Sequence, residues 1–246
     1  MTHAPPPAPR TNELGQPVGA PVPSWTPRPR PARVSLGGRY ARLEPLDPAR
    51  HADGLWEAYA LDAEGRNWTY LPYGPFGTPE AFREWLDRQA AGDDPLFFAI
   101  VDAASGQAVG MASYLRIEAT VGCIEVGHLN FSPLLQRRPA ATEAMFLMMR
   151  HAFDDLGYRR YEWKCDSLNE PSWLAAERLG FTFEGIFRQA VVVKGRNRDT
   201  TWLSILDGEW PALRAGFEAW LAPENFDAAG QQRRALRACF EAARGA

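Results

Sequence analysis

Polar and apolar positions along this chain follow two periods. From Pro139 onward, apolar residues recur at Ala141, Met145, Met148, Met149, Ala152 and Leu156, the three-and-four spacing of a buried helical face. Pro139 suits the first helical position, where an N–H would have no intrahelical partner, and Gly157 suits the stop. Further helices are predicted over 48–60 with Asp47 as N-cap, and from Pro79 to about Ala91, opened by Thr78-Pro79-Glu80. A short one follows Asn169 and ends near Leu179, and 210–221 and 228–244 read as C-terminal helices. Alternation with period two predicts strands at 38–46, 96–101, 108–117, 123–131, 159–166, 181–193 and 199–206, with Tyr161, Trp163 and Cys165 sharing one face. Strands, helix, strand, helix, strands is the order of an α/β (α+β) domain. It implies a mixed, mostly antiparallel central sheet flanked by helices.

The pattern fails at the N-terminus. Residues 1–31 hold ten of the 21 prolines and almost no large apolar side chain, so they cannot bury enough surface to offset their ordering entropy. The chain therefore reads as a disordered proline-rich arm at 1–31, a domain at 34–222 and a helical extension at 223–246.

Composition narrows the function by exclusion. A net charge of -3 gives no basic face for nucleic acid. The three cysteines make no CxxC spacing, as expected of reduced thiols in a cytoplasmic protein, and no ligand cluster suggests a metal. No apolar run reaches the roughly 18 residues of a membrane span, and no secretory signal opens the chain. No P-loop or catalytic triad is evident. What remains is an anion site: Gln136, Arg137 and Arg138 stand just before a helix whose first amides have no partner in the helix.

The string Gln136-Arg137-Arg138-Pro139-Ala140-Ala141-Thr142-Glu143-Ala144 resembles the pyrophosphate loop of the general N-acetyltransferase (GNAT) superfamily, Q/R-x-x-G-x-G/A. Asn169-Glu170-Pro171-Ser172 with Arg178-Leu179-Gly180-Phe181 is similar to that family's later N-x-x-S...LGF. Glu125-Val126-Gly127, and Gly195 to Asp199 with Trp210, resemble the Rim-type branch, which acetylates N-termini of ribosomal proteins. The likeness covers about residues 36–212. It departs at Arg137 and Pro139, which replace loop glycines; Pro139 removes an amide donor and fixes φ.

The resemblance implies acetyl-CoA as acyl donor and direct attack by a primary amine, favouring a protein N-terminus. It places Leu129, Asn130, Phe131, Gln136, Arg137, Arg138, Pro139, Ala140, Ala141, Thr142 and Asn169 against the donor. It makes Glu125 the candidate general base, with His128 the other candidate, lying on the opposite face by strict alternation. The family's usual acid tyrosine is here Ala176, leaving Ser172 as the nearest proton donor, or simply a helix cap. Trp68, Tyr70, Tyr73, Phe76 and His128 could line the acceptor site, or pack beneath a long loop. Three alternatives stay open: acetylation of a small amine such as an aminoglycoside, amino acid or polyamine, succinyl transfer, and a non-catalytic acyl-CoA-binding or protein-interaction module. A second copy of the chain as partner is also open.

Overall fold

The computed structural model describes residues 10–245. Two two-residue strands, β1 (Arg10–Thr11) and β2 (Pro17–Val18), pair in the N-terminal arm. The domain proper then runs β3 (Leu36–Gly37), β4 (Ala41–Pro45), α1 (Pro48–Ala60), α2 (Pro79–Ala90), β5 (Leu96–Asp102), β6 (Ala108–Glu118), β7 (Cys123–Phe131) and α3 (Pro139–Arg150). It continues through β8 (Arg160–Asp166), α4 (Glu170–Arg178), β9 (Thr182–Val193), β10 (Arg196–Leu206), α5 (Trp210–Leu221) and α6 (Leu236–Arg244). Strands β3 to β10 form one eight-stranded sheet in the order β3-β4-β5-β6-β7-β8-β10-β9, the mixed sheet flanked by helices that the pattern implies. Every pairing is antiparallel except β7 with β8.

That exception shapes the molecule. The parallel ladder joins Cys123–Val126 to Arg160–Trp163 and stops. Beyond it the two strands no longer pair with each other, so a gap opens between His128–Phe131 and Lys164–Asp166. One sheet face packs on α3 to α6 around Tyr114, Ile124, Val126, Tyr161, Trp163 and the α3 methionines. The other packs on α1 and α2, with Phe97, Met111, Tyr59, Trp68, Phe82 and Trp85 at its centre.

Local signals act as expected at most ends. Asp47 accepts from Ala49 N, Thr78 from Ala81 N, and Asn169 from Ser172 N, each with proline at the first helical turn. Helix α3 is buried nearly all round rather than along one face, because α5 covers its outer side; Phe146 stacks on Trp210 and is tilted against Phe217. Its α-helical part ends at Arg150 and continues as a π turn over His151–Asp155 before Gly157 (φ 71°). The link between β9 and β10 is only Lys194-Gly195. Both residues have positive φ, the two-residue hairpin turn, so β10 begins at Arg196 rather than 199.

Two boundaries need correction. The arm expected to be free as far as residue 31 is docked from Trp25 onward; residues 1–9 lie outside the described part. Trp25 Nε1 donates to Thr120 O (2.8 Å), Arg28 N to Ala119 O and Tyr158 Oη to Pro29 O. The prolines stiffen this strap, and the tryptophan with its flanking arginines supplies the contact surface that the proline count concealed. The C-terminal helix expected over 228–244 begins only at Leu236. Gly230 turns the chain at φ 74°, and the buried Asn225 side chain binds Trp220 O and Arg234 N. Helix α6 is no appendage, since Leu236, Cys239 and Phe240 belong to the main core. Gly216 makes this approach feasible: a Cβ there would stand 2.4 Å from Phe240 Cδ1.

Candidate active site

The N-terminus of α3 closes the end of the gap. Arg138 is its cap residue but bonds no amide with its side chain, leaving the first turn to an external acceptor. Arg137 takes φ 60°, a left-handed turn that a glycine would enter more easily. Both arginines are exposed. Gln136 is not free to join them, because its Nε2 donates to Phe131 O (2.8 Å) and to Asn67 Oδ1 (3.0 Å). It ties the loop to the neighbouring turn. Thr142 Oγ1 accepts from Arg178 Nη1 (3.0 Å), which brings a third guanidinium to the first turn from the end of α4. Sequence spacing gave no sign of Arg178 here; only the packing of α4 beside α3 delivers it. Glu143, next in the same motif, faces away from the loop and accepts the backbone N–H groups of Arg39, Tyr40 and Ala41.

On β7 the side chains of Leu129 and Phe131 pack toward the α3 side. The Asn130 and Phe131 carbonyls are already taken, by Tyr59 Oη and by Asn67 with Gln136. Asn130's own amide group is buried without a partner. Across the gap, Asn169 is the N-cap of α4, and Ser172 Oγ accepts from Trp163 Nε1 (3.0 Å).

A bulge changes the floor of the site. The β6–β7 register jumps between Met111↔Asn130 and Ser113↔Gly127, and His128 takes φ 52°. The extra residue reverses the expected alternation. His128 therefore lies on the same face as Glu125, stacked on Tyr73 (centroids 5.6 Å apart) and tilted against Phe97. Its Nδ1 lies 3.0 Å from Tyr73 Oη. Burial, aided by the charges of Arg116 and Arg198, pushes the imidazole down to about 4, so it is neutral at physiological pH. Burial likewise raises the Tyr73 hydroxyl.

Glu125, on the same face of β7, is not a free carboxylate. Arg116 Nη1 lies 2.6 Å from Oε1, and Lys164 Nζ lies 2.9 Å from Oε2 at an oblique angle. Lys164 also pairs with Glu162 (2.8 Å) and rests 3.7 Å over the Trp202 ring. Glu162 in turn meets Arg160, which forks onto Glu184. The row of alternating charge runs from β6 through β7 and β8 and over β10 to β9, with each carboxylate matched. Burial pushes the nearby thiols up, Cys123 to about 12 with help from Glu162, and Cys165 upward as well, so neither is a ready nucleophile.

Of the aromatic residues expected around an acceptor, Trp68 is corrected: it is buried between Tyr59, Phe76 and Phe82 and belongs to the core. Phe76 packs there too. Tyr70 spans the gap, its hydroxyl donating to Leu168 O (3.1 Å). The β9–β10 tip meets the same loop through Lys194 Nζ and Trp68 O (2.8 Å).

A helix end open to anions, beside a gap between two parting parallel strands, is the arrangement that the resemblance to the GNAT acyltransferases implies. Comparison with known proteins agrees. Residues 41–182 match the Acetyltransferase (GNAT) domain family, and the chain belongs to it. A GCN5-related N-acetyltransferase from Brucella melitensis is 54% identical, with TM-score 0.87, over 89% of this chain and 99% of its own. A GNAT-family protein from Chromobacterium violaceum is 44% identical, with TM-score 0.73, over 79% and 97%. The uncharacterized N-acetyltransferase YnaD of Bacillus subtilis is 24% identical over 158 residues, 63% of this chain and 89% of its own. The protein is thus a GNAT N-acetyltransferase that uses acetyl-CoA. No described helix is long and apolar enough to cross a membrane, and no described group of His, Cys, Asp and Glu could hold a metal ion.

Proposed function

We propose that the acceptor is the α-amino group at the N-terminus of a peptide or protein, as in the Rim-type enzymes whose motifs the chain resembles. The observation that carries this reading is that every candidate base on the acceptor wall is either ion-paired or, like His128, buried and neutral. Glu125 and Glu162 are each matched by two cations, and His128 is held at about 4. None is suited to deprotonating an ammonium of ordinary lysine type. A lysine amine near 10.4 leaves only roughly four molecules in ten thousand unprotonated at pH 7, whereas an α-amine near 7.8 leaves about one in ten. An α-amine brings its own lone pair, so this wall suits it. The matched carboxylates also offer little to a polycation such as an aminoglycoside or polyamine.

In this reading Arg137, Arg138, Arg178 and the α3 amides hold the donor's pyrophosphate. The pantetheine arm lies in the gap between β7 and β8, near Asn169. As the C–N bond forms and the C–S bond breaks, nitrogen loses its proton to His128 or to water. Glu125, fixed by Arg116 and Lys164, orients the amine and is not the base. Ser172 accepts from Trp163, which leaves its own O–H for the departing sulfur. The Cys165 thiol competes for that O–H.

The test compares a peptide with a free N-terminus and the same peptide blocked at its N-terminus but carrying lysine, following CoA release from pH 6 to 9. The free peptide should react, with kcat/KM rising to a plateau around the amine's own pKa, about 8. No second inflection is expected in that range, because His128, held at about 4, is already neutral at pH 6. A faster reaction of the lysine peptide, or an inflection near 6.5 common to all acceptors, rules the reading out.

A further inference from the structure

We infer that Arg30 and Asp94, both outside the site, are positioning residues for the acceptor wall and act by aiming Arg116 at Glu125. The inference rests on the reading of Glu125 given above.

Arg116 cannot reach Glu125 from a regular strand. Leu115 is paired with Glu125, and Tyr114 lies in the core on the opposite face. Alternation would send residue 116 into that core beside Tyr114. Instead the register jumps from Leu115↔Glu125 to Glu118↔Cys123, Arg116 takes φ 46°, and Ile117 fills the core position. The extra residue turns the guanidinium onto Glu125 at 2.6 Å. A left-handed arginine is unfavourable in isolation and persists only where its surroundings fix it.

Asp94 supplies that fixing. Its Oδ1 accepts Arg116 N (2.8 Å) and its Oδ2 accepts Ile117 N (3.0 Å), so one carboxylate caps both amides of the bulge. Arg30 braces it from the strap, with Nη1 donating to Ile117 O (3.0 Å) and Nη2 lying 3.4 Å from Asp94 Oδ2. The strap is in turn pinned by Trp25 on Thr120 and Pro29 on Tyr158. It lies before residue 41, where the family match begins. A segment of this chain outside the family domain thereby sets the geometry of a side chain at the acceptor wall.

The experiment measures kcat and both KM values for Arg30→Ala, Asp94→Asn, Arg116→Ala and the double variant D94N/R116A, with a free-N-terminus peptide and acetyl-CoA. Arg30→Ala and Asp94→Asn should each lower kcat/KM for the peptide by up to about tenfold, with the acetyl-CoA KM unchanged. The double variant should be no worse than Arg116→Ala alone, because both act through one contact. Arg30→Lys, which keeps the charge but not the fork, should recover part of the loss. Losses that multiply in the double variant, or a lowered melting temperature with full kcat/KM, overturn the inference. If D94N does not fold, Arg30→Ala, which breaks fewer bonds, decides alone. If Arg116→Ala and Glu125→Gln are both silent, the acceptor-wall reading fails and this inference with it. If those two respond while R30A and D94N do not, only this inference fails.

Discussion

Glu143 shows how a residue can fit a motif and serve something else. Its carboxylate gathers three consecutive backbone N–H groups, and Gly38 leaves room for it, since a Cβ there would stand 2.4 Å from the Glu143 carboxyl carbon. Glu143→Ala should strand three donors at the start of the sheet. It should cost about 3 kcal/mol or more, read as a fall in the urea midpoint, while acetyl-CoA binding by the loop is largely kept. Sequence could nominate Glu143 only by its neighbours. His128 was named from the sequence, but its face was misassigned for another reason: a one-residue bulge flips a side chain between faces, and nothing in the period-two pattern marks where it occurs. Arg178 was legible as part of a helix, but its approach to Thr142 is a tertiary contact across 36 positions.

At the scale of elements, the caps and prolines made the helix starts readable, because those signals are local and each acts on its own turn. Ends without such a local signal were harder. The π turn after Arg150 and the late start of α6 depend on packing and on the Asn225 side chain, which no short window contains. The start of α3 carries the donor prediction. Replacing Arg137 and Arg138 together with alanine should weaken CoA by about tenfold or more, each lost charge-assisted contact being worth about 1 kcal/mol. Arg178→Ala should add to that loss. Pantetheine, which lacks the pyrophosphate, should bind all variants alike in calorimetry. Equal weakening of both ligands would place these side chains elsewhere than on the phosphates.

For the molecule as a whole, α6 extends the core beyond the segment that the family shares, and the strap adds contacts on its surface. Deleting residues 1–24 should leave the melting temperature nearly unchanged, whereas deleting 1–33 removes Trp25, Pro29 and Arg30 from their sites and should lower it by several degrees. Equal melting curves for the two truncations would mean that the strap contributes nothing. The sheet carries a further consequence. Its order divides the strands into a run from β3 to β7, each beside its neighbour in sequence, and a second group of β8, β10 and β9. Only the short parallel ladder at Cys123–Val126 joins the two within the sheet. The gap thus has no far side until β8 has followed α3 into place, although the whole run from β3 to β7 stands ahead of it in the chain.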